Sequence, residues 1–333
     1  MAGSYILGTT DLSNYGIIPA QDSNTNIAIS GCWDMPQRIG KTHHDWGDED
    51  GVQPYVRADE IRLGGRDIVF NCLMQADYEN EVLRKLNNLY NAISNYVSLA
   101  PFDTPYGSFS VYLKEEVQAD YIHQGWAKLR FQFREPIVSN TGVIPTTDNA
   151  NFGIDGISFQ QLGLNILEVD GRHNLPSSKT GQFTAYQTEG YQVTKKNYRE
   201  LTLKAIVSGS SLSDFENKCK ALFKLFSKEG IREITYRHDA LRQFFCKDGF
   251  QITQVKVLDN EVWGVFTMRC VQVGQTLDWD FLTTNSGEPI LTASGASIYV
   301  DNPLSNRDYN YLTDHNSNFL TTSNNMKIRA NDL

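Results

Sequence analysis

Two segments of the chain carry the same pattern of hydrophobic and polar positions. Residues 66–74 (RDIVFNCLM) and residues 199–207 (RELTLKAIV) both alternate apolar and polar side chains, and each runs directly into a stretch with apolar residues at helical spacing. Alternation with a period of two is typical of a half-buried strand. The pattern therefore predicts two strand-helix units, whose inward-facing strand residues include Ile68, Phe70, Leu201 and Leu203.

The two units indicate an internal duplication. Residue numbers in the second unit exceed those in the first by 133, and this offset holds without a gap through the helix. Blocks before and after the units match at offsets of 147, 140 and 137, in the same order along the chain. Repeats of this kind decide the architecture, because each copy is one structural unit. The matched residues are Val82, Leu86, Leu89, Tyr90 and Ile93 with Phe215, Cys219, Leu222, Phe223 and Phe226, and outside the units Gly16 with Gly163, Asp34 with Asn174, Trp46 with Tyr186, and Trp126 with Trp263.

Each copy is predicted to contain a few strands, one helix and then further strands. The helices are expected over residues 77–94 and 212–227, the second with a capping box formed by Ser213 and Glu216 and an end near Gly230. The predicted fold class is α+β, mostly antiparallel β-structure in two tandem domains, each a β-sandwich or split barrel with one flanking helix. Strands are expected as a pair within residues 55–74, then over residues 108–113, 119–123 and 126–134, and in the second copy over residues 233–237, 242–250 and 251–273.

Composition divides the chain into four segments. Residues 138–151 are rich in Gly, Pro, Thr and Asn, and they are interpreted as a linker between domains at residues 1–137 and 152–273. From residue 274 the sequence is rich in Asn, Ser, Thr and Asp, with isolated apolar clusters. Residues 274–333 are therefore expected to be an extended polar arm that gains order on neighbours, or to be disordered.

The overall composition is that of a soluble globular protein. At 333 residues, with 40% hydrophobic and 21% charged residues, the chain is long enough for two cores. No apolar run approaches the roughly 18 residues of a membrane span, and the N-terminus carries no evident secretory signal. Five widely spaced cysteines favour free buried thiols in a reducing cytoplasm. The net charge of −9 argues against a nucleic-acid-binding surface, but an acidic wall suits a channel through which DNA passes without adhering.

One cluster has the residue types of a metal site. Residues 43–50 (HHDWGDED) combine histidines with carboxylates, but the matched loop keeps only an aromatic residue, Tyr186, and none of the ligands. The cluster is therefore interpreted as a solvated loop that Trp46 anchors to the core. No nucleophile elbow, phosphate loop, dinucleotide fingerprint or zinc spacing occurs. The sequence predicts no catalytic, cofactor or metal site, and it predicts structural packing roles for Trp46, Tyr186, Trp126 and Trp263.

The order of strands and helix resembles the tube-type domain of phage tails. Two stretches add to that resemblance, the motif DLSNYGI at residues 11–17 and the loop at residues 35–51, which contains a proline and a tryptophan. This fold is shared by tail-tube proteins, distal tail proteins, baseplate hubs and the tubes of type VI secretion systems, and the beginning of the chain looks most like a distal tail protein. The resemblance covers residues 5–273. Distal tail proteins commonly carry one such domain followed by a carbohydrate-module-like sandwich, whereas tandem copies are typical of trimeric baseplate hubs.

The resemblance implies a structural virion protein at the distal end of a phage tail, assembled in the cytoplasm of the bacterial host. It implies a ring with a central channel, either a homohexamer or a homotrimer of pseudo-six-fold symmetry. The ring would join the tail tube protein to the baseplate hub or tail fibre proteins, with DNA only as passing cargo. Strands within residues 55–74 and 191–207 would line the channel, and loops at residues 34–51 and 172–192 would reach neighbouring subunits.

Two other functions stay open at this point. A carbohydrate-binding tail adhesin would need exposed aromatic side chains, for which the candidates are Trp46, Tyr106 and Trp279. A cell-wall hydrolase would need paired carboxylates in a cleft, for which the candidates are Asp48 and Glu49.

Overall fold

A computed structural model gives the fold of the protein. It describes residues 4–21, 24–46, 50–123, 125–148, 152–185, 188–236 and 242–273, together with four two-residue strands in the C-terminal region. The first half contains a 3-10 helix at Leu12–Tyr15, and its other elements are β1 (Ile6–Leu7), β2 (Thr10–Asp11), β3 (Ile17–Pro19), β4 (Ile29–Ser30), β5 (His43–His44), β6 (Gln53–Pro54), β7 (Arg66–Gln75), α1 (Glu79–Ile93), β8 (Ala100–Thr104), β9 (Gly107–Leu113), β10 (Gln118–His123) and β11 (Trp126–Glu135).

The second half repeats this succession of short strands, long strand, helix and long strands. Its elements are β12 (Gly153–Ile154), β13 (Ile157–Ser158), β14 (Leu164–Asp170), β15 (Ser178–Ala185), β16 (Thr188–Lys196), β17 (Glu200–Gly209), α2 (Leu212–Ser227), β18 (Arg232–Thr235), β19 (Arg242–Val257) and β20 (Val262–Gln272). The C-terminal strands β21 (Asp280–Phe281) and β22 (Tyr299–Val300) pair with each other, as do β23 (Asn310–Tyr311) and β24 (Arg329–Ala330). The rest of the predicted arm lies outside the described residues.

The main sheets of the two halves have the same strand order. The first sheet runs β2-β1-β8-β9-β11-β7-β3, with β10 attached to β11 and β4 attached to β7. The second sheet runs β13-β12-β18-β19-β20-β17-β14. The central long pairs, β7 with β11 and β17 with β20, are antiparallel, and a helix follows β7 and β17 in each case. The predicted fold class, mostly antiparallel β-structure with one helix in each half, is confirmed.

The central strand pairs also agree in register. Gln75 of β7 lies opposite Trp126 of β11, and Ser208 of β17 lies opposite Trp263 of β20. The sequence pattern matches the same residues, Gln75 with Ser208 at the offset of 133 and Trp126 with Trp263 at the offset of 137. Because a slip of one residue would turn every side chain to the opposite face of the sheet, equal register puts matched side chains on the same face.

Most buried apolar residues of both halves belong to one continuous hydrophobic cluster, and Val52, Phe245 and Val271 form a second, small one. The ring of Trp33 in the first half packs edge-to-face on Phe215 of α2, with ring centroids 5.3 Å apart. Asn140 donates a hydrogen bond from Nδ2 to Ser227 Oγ at 2.6 Å, and Gly142 lies against the backbone of Lys220, so residues 140–142 lie on α2. The predicted domain division at residues 138–151 stays a prediction, and the two halves share apolar packing across it.

Residues 26–35 of the first half cover one side of β19. The N–H of Ile252 donates to Asp34 Oδ1 at 2.7 Å. Asn26 exchanges two hydrogen bonds with the backbone of Val257, at 2.6 and 2.7 Å. A strand side with unpaired N–H and C=O groups must be paired or covered. The first half therefore supplies partners for a part of β19 that lies beyond its pairing with β18.

Two predictions of strands and loops are wrong. Residues 55–74 contain one strand instead of a pair, because β7 begins only at Arg66 and the residues before it form turns that end in the consecutive glycines Gly64 and Gly65. The region at residues 172–192, predicted to be a loop, contains the hairpin of β15 and β16. The error came from matching this region to the polar loop of the first half, although its Thr, Phe and Tyr residues favour a strand.

Two predicted boundaries in the second half are also wrong. The N-cap of α2 is Ser211 instead of Ser213, because Asp214 completes the cap by accepting a hydrogen bond from the N–H of Ser210 at 2.9 Å. The turn between β19 and β20 lies at residues 258–261, not at 250–251, since β19 continues through two register shifts.

Candidate functional site

A lysine bridge joins the end of β7 to α1. Lys85 Nζ donates to the backbone oxygen of Gln75 at 3.0 Å and lies 3.7 Å from the carboxylate of Glu81. The same carboxylate accepts a hydrogen bond from the N–H of Asp77 at 3.0 Å. The N–H of Gln75 donates to the oxygen of Gly16 at 2.9 Å. The bridge thus connects β7 and α1 at Gln75, where Gly16, which directly precedes β3, is also bonded.

The second half has the same bridge at the same offset of 133. Lys218 Nζ donates to the backbone oxygen of Ser208 at 2.9 Å and pairs with Asp214 at 3.0 Å. Asp214 Oδ2 accepts from the N–H of Ser210 at 2.9 Å, and the N–H of Ser208 donates to the oxygen of Gly163 at 3.0 Å. Each partner is the counterpart of one in the first half.

The carboxylate of each bridge lies in the first turn of its helix. Hydrogen bonds from backbone N–H groups, at Asp77 and Ser210 respectively, lower the pKa of Glu81 and of Asp214, and the neighbouring lysine adds to this. Negative charge at a helix N-terminus is also favoured by the helix dipole. The bridges therefore hold each helix against its strand through a lysine that contacts both the strand backbone and a carboxylate of the helix.

Matching glycines make matching turns before the central strands. Gly31 and Gly171 have φ angles of +79° and +81°. A Cβ on Gly31 would lie 2.1 Å from the backbone oxygen of Asp67, and one on Gly171 would lie 2.3 Å from that of Glu200. Only glycine combines this conformation with so close an approach.

The face of the central strands that points away from the core carries exposed charged side chains between half-buried ones, some of them apolar. In the sequence-based prediction, this face lines the channel. Its side chains alternate with the buried ones along β7, β11, β17 and β20. Basic side chains outnumber acidic ones, so the acidic wall expected from the net charge is not found on this face. The charged side chains are Lys128, Arg130, Arg134, Lys204 and Arg269 against Asp67 and Glu200.

Ion pairs neutralise part of this charge. Asp67 accepts hydrogen bonds from Lys114 Nζ at 2.8 Å and Arg134 Nη1 at 2.7 Å. Partial burial raises the pKa of Asp67, but these two hydrogen bonds outweigh it and the pKa is lowered. Lys204 pairs with Glu168 at 2.9 Å. The same face contains an open polar cleft of about 350 Å³, lined by Ser30, Val69, Asn71, Gln118, Asp120, Lys128 and Arg130.

The two regions predicted to reach neighbouring subunits are tied to each other. Lys179, at the base of the β15–β16 hairpin, donates from Nζ to the backbone oxygens of Trp46 at 2.7 Å and Gly51 at 2.9 Å. Asp50 Oδ1 accepts from the N–H of Lys196 at 2.7 Å. The loop from the first half and the hairpin from the second therefore form one joint projection, although only their bases carry described side chains.

The predicted packing residues fall into three groups. Buried on the inward face are Ile68, Phe70, Leu201 and Leu203. Trp126 and Trp263 are half-buried on the outward face, at matched strand starts. Trp46 is 44% exposed, with Nε1 donating to Gln53 Oε1 at 2.8 Å, so it stays on the surface of its loop and does not anchor it to the core. Tyr186 lies outside the described residues.

One carboxyl group lies at the junction between the halves. Burial raises the pKa of Asp34 to about 6, against the opposing effects of the Ile252 hydrogen bond and the charge of Arg66. The matched residue of the second half, Asn174, carries no charge. A small cavity of about 50 Å³ lies beside this group, and its lining includes Cys32, Asp34, Arg66, Glu216 and Cys219.

The described residues contain no group of three or more His, Cys, Asp and Glu side chains that could hold a metal ion. His43 and His44 form β5, where His43 contacts the ring of Tyr198. Asp48 and Glu49, the candidates for hydrolysis, lie outside the described part of the chain, as does Trp279. In the described part, no helix has the length and apolar character needed to span a membrane.

Sequence reasoning missed the lysine bridges and the role of Asp34. Within the helices, the two copies were matched at apolar positions, although the acidic and lysine positions of the bridges match at the same offset. Including charged positions would have found Lys85 and Lys218. Asp34 stood inside a matched block, but its partner is 218 residues away in the chain.

Comparisons with known proteins give a structural likeness. No protein-family model matches the chain, and no curated protein matches it. Among solved structures, the chain is similar to the Dit protein (gp 19.1) of SPP1, described as a paradigm of the hub adsorption apparatus in phages that infect Gram-positive hosts. The identity is 13%, the TM-score is 0.32, and the match covers 81% of this chain and 99% of that chain.

Proposed function

We propose that the protein is a structural component of a virion, forming a ring with a central channel at the distal end of a phage tail. The observation that carries this proposal is the presence, in one chain, of two sheets with the same strand order and register. Two equivalent units per chain supply the repeated parts of a ring. Six chains then give two stacked rings, and three chains give one ring of pseudo-six-fold symmetry.

The duplication itself is part of the proposal. It is supported by the matched lysine bridges, the matched glycine turns and the equal registers, all at offsets read from the sequence. Positions that fix backbone geometry agree between the halves, while side-chain identities are few. This is the pattern expected when two copies of one unit diverge under the constraint of a common fold.

Sheet edges supply a means of ring closure. Strand β14 is a seven-residue outer strand of the second sheet. Ser208 of β17 donates its N–H to the backbone oxygen of Gly163, so the backbone groups of Gly163 point toward β17. Because this direction alternates from residue to residue along an antiparallel strand, the N–H of Ile166 points away from β17. An outward-facing edge is a template for pairing with another chain. In the proposed ring, a neighbouring subunit covers this edge.

The outward polar face of β7, β11, β17 and β20 would line the channel, and DNA would pass along it only as cargo. The ion pairs of Asp67 and Lys204 keep part of its charge neutral. The joint projection of the loop at residues 34–51 and the β15–β16 hairpin would contact the tail tube protein on one side or the baseplate hub or tail fibre proteins on the other. The C-terminal arm would lie on neighbours.

The test is the mass of the purified protein by light scattering, with negative-stain images of the same sample. A hexamer or trimer with a central hole supports the ring.

Replacing Ile166 by proline removes one outward N–H and leaves the bond pattern to β17 in place, whereas Ile166→Ala keeps the N–H. We expect I166P to give monomers and I166A to give rings. Rings of I166P would contradict closure through β14. A wild-type monomer that also fails to assemble on purified tail tubes would contradict the ring.

A second candidate function is glycan binding by a tail adhesin. The exposure of Trp46 favours it, because sugars stack on exposed aromatic rings beside carboxylates, and Asp45 is its neighbour. Asp45 is already paired with Lys179, and the indole N–H is already bonded to Gln53. A glycan array with wild-type protein and Trp46→Ala separates the two functions. Binding that Trp46→Ala abolishes would support the adhesin.

A further inference from the structure

Two of the five cysteines lie directly opposite each other on neighbouring strands. Cys246 of β19 pairs with Cys270 of β20 in antiparallel register, and both are free and buried. Opposed residues of antiparallel strands project to the same side of the sheet. The two thiols therefore occupy the same part of the core.

Nearby hydrogen bonds show whether Cys246 and Cys270 form a hydrogen-bonded or a non-hydrogen-bonded antiparallel pair. The N–H of Gln272 donates to the oxygen of Arg199 at 2.8 Å, toward the side of β17. Because the direction of backbone groups repeats every two residues along a strand, the N–H and C=O of Cys270 also point toward β17 and away from Cys246. The cysteines are thus a non-hydrogen-bonded pair, whose Cα atoms are about 4.5 Å apart. Disulfides span Cα separations of about 4.4–6.8 Å.

The other cysteines do not share this arrangement. Cys72 of β7 lies opposite Leu129 on one side and Pro19 on the other. Cys32 and Cys219 both line the cavity between the halves, but they do not belong to one strand pair. Backbone geometry therefore singles out one pair among the five.

The two thiols differ in reactivity. Burial raises the pKa of Cys246 to about 12, but the N–H of Gly249 stabilises its thiolate and opposes this effect. Burial raises the pKa of Cys270 well above the ordinary range, and the neighbouring Cys246 raises it further. Since the thiolate is the nucleophile, Cys246 reacts first. A buried thiol with little thiolate calls for a small, strong oxidant.

We propose that Cys246 and Cys270 are the site of an intrachain disulfide, formed by a peroxide after the chain leaves a reducing cytoplasm. The Cys246 thiolate attacks one oxygen of hydrogen peroxide and releases hydroxide, which gives a sulfenic acid. The sulfur of Cys270 then attacks the sulfur of Cys246, and the S–O bond breaks. Two thiols and one hydrogen peroxide give one disulfide and two waters. The pair itself stands on the sheet geometry, and only the change of compartment rests on the proposed function.

Thiol mapping of the full-length chain treated with hydrogen peroxide tests the proposal. Of the five cysteines, two should become unavailable to alkylation after denaturation. A tryptic digest should contain residues 243–247 linked to residues 270–307, with the mass of the two peptides less two hydrogens. The disulfide should also raise the Tm by roughly 5 °C, because it constrains the unfolded chain. Dithiothreitol should reverse both effects.

Cys72→Ala is a matched control for Cys270→Ala. Both remove a buried strand thiol, and alanine already occupies the counterpart of Cys72 in the second half, Ala205. Treated C72A should still lose two thiols and gain in Tm, whereas treated C270A should form no linked peptide and gain nothing in Tm. Linkage of Cys32 to Cys219, or a folded wild type that keeps all its thiols, would overturn the proposal. Should C270A fail to fold, the linked wild-type peptide decides alone.

Discussion

The two helices occupy matched positions in the two halves but are buried to different extents. Three side chains of α1 are buried, against seven of α2. α2 is covered by its own sheet and also by the first half, where Phe215 meets Trp33 and a Cβ on Gly142 would lie 2.0 Å from the oxygen of Lys220. On α1, Leu83 is 46% exposed. The strand register and the lysine bridge thus stay the same in both halves, while the burial of the helix follows what packs against it.

The largest effect should come from the contact that distinguishes α2. Phe215→Ala removes a fully buried ring between the halves and should lower the free energy of unfolding by about 3–5 kcal/mol. Its counterpart on α1, Val82→Ala, should cost about 2 kcal/mol, because less apolar volume is lost. Urea denaturation of both variants measures this. Equal losses would mean that Trp33 contributes nothing to the junction, and a split transition for F215A would mean that the halves unfold separately.

Substituting the matched glycines of the two turns should lower the free energy of unfolding by a similar amount in both halves. Gly31→Ala and Gly171→Ala each combine a positive φ with a backbone clash, so each should cost about 2–4 kcal/mol. Gly40→Ala is the matched control, because Gly40 has a φ of +81° but nothing within 4 Å of the place that a Cβ would occupy. It should cost only about 1 kcal/mol. Thermal or urea unfolding gives the three values, and similar costs for all would show that the close approaches are easily relieved.

Asp34 should make the free energy of unfolding depend on pH, whereas its uncharged counterpart Asn174 should not. Its pKa is raised from 3.8 to about 6, so the folded state holds the proton more tightly than the unfolded chain. This stabilising contribution is complete below about pH 4 and is lost as the pH rises toward and through about 6. Asp34→Asn copies Asn174 of the other half and keeps the acceptor for Ile252. It should raise stability by at most about 3 kcal/mol at pH 8 and change it little at pH 4. An equal change at both pH values would contradict this origin.

The sequence could predict those parts of the fold in which apolar residues recur at one helical or strand spacing without interruption. The extent of α2, residues 212–227, was predicted to the residue although its N-cap was not, and the inward faces of β7 and β17 contain the predicted residues. Strand β19 was divided wrongly because its alternation breaks twice, next to Gly249 and Gln254, both with positive φ. A bulge adds one residue and inverts the pattern that follows it, so simple alternation marks a false turn.

The candidate site was less accessible to sequence reasoning. The lysine bridges join a side chain to a backbone oxygen ten residues earlier, a contact that needs a turn between strand and helix before it exists. The Asp34 contact joins residues of different halves. The exposure of Trp46 depends on where the β5–β6 pair projects, and apolar character alone predicted burial. Local periodicity contains no information about such contacts, whereas matched charged positions in the two copies contain some of it.

The smallest expected effect concerns how each helix begins. Ser211 caps α2 by accepting a hydrogen bond from the N–H of Asp214 at 3.2 Å, whereas Tyr78 at the N-cap of α1 makes no side-chain cap bond. Ser211→Ala should therefore cost about 1 kcal/mol. Tyr78→Ser gives α1 the missing cap at a 74% exposed position with extended backbone, and it should raise stability by about 0.5 kcal/mol. Urea unfolding of the two single variants and the double variant checks both signs. A loss for Y78S would show that the Tyr78 ring contributes packing that outweighs a cap, and the helices would then differ in how they start as well as in what covers them.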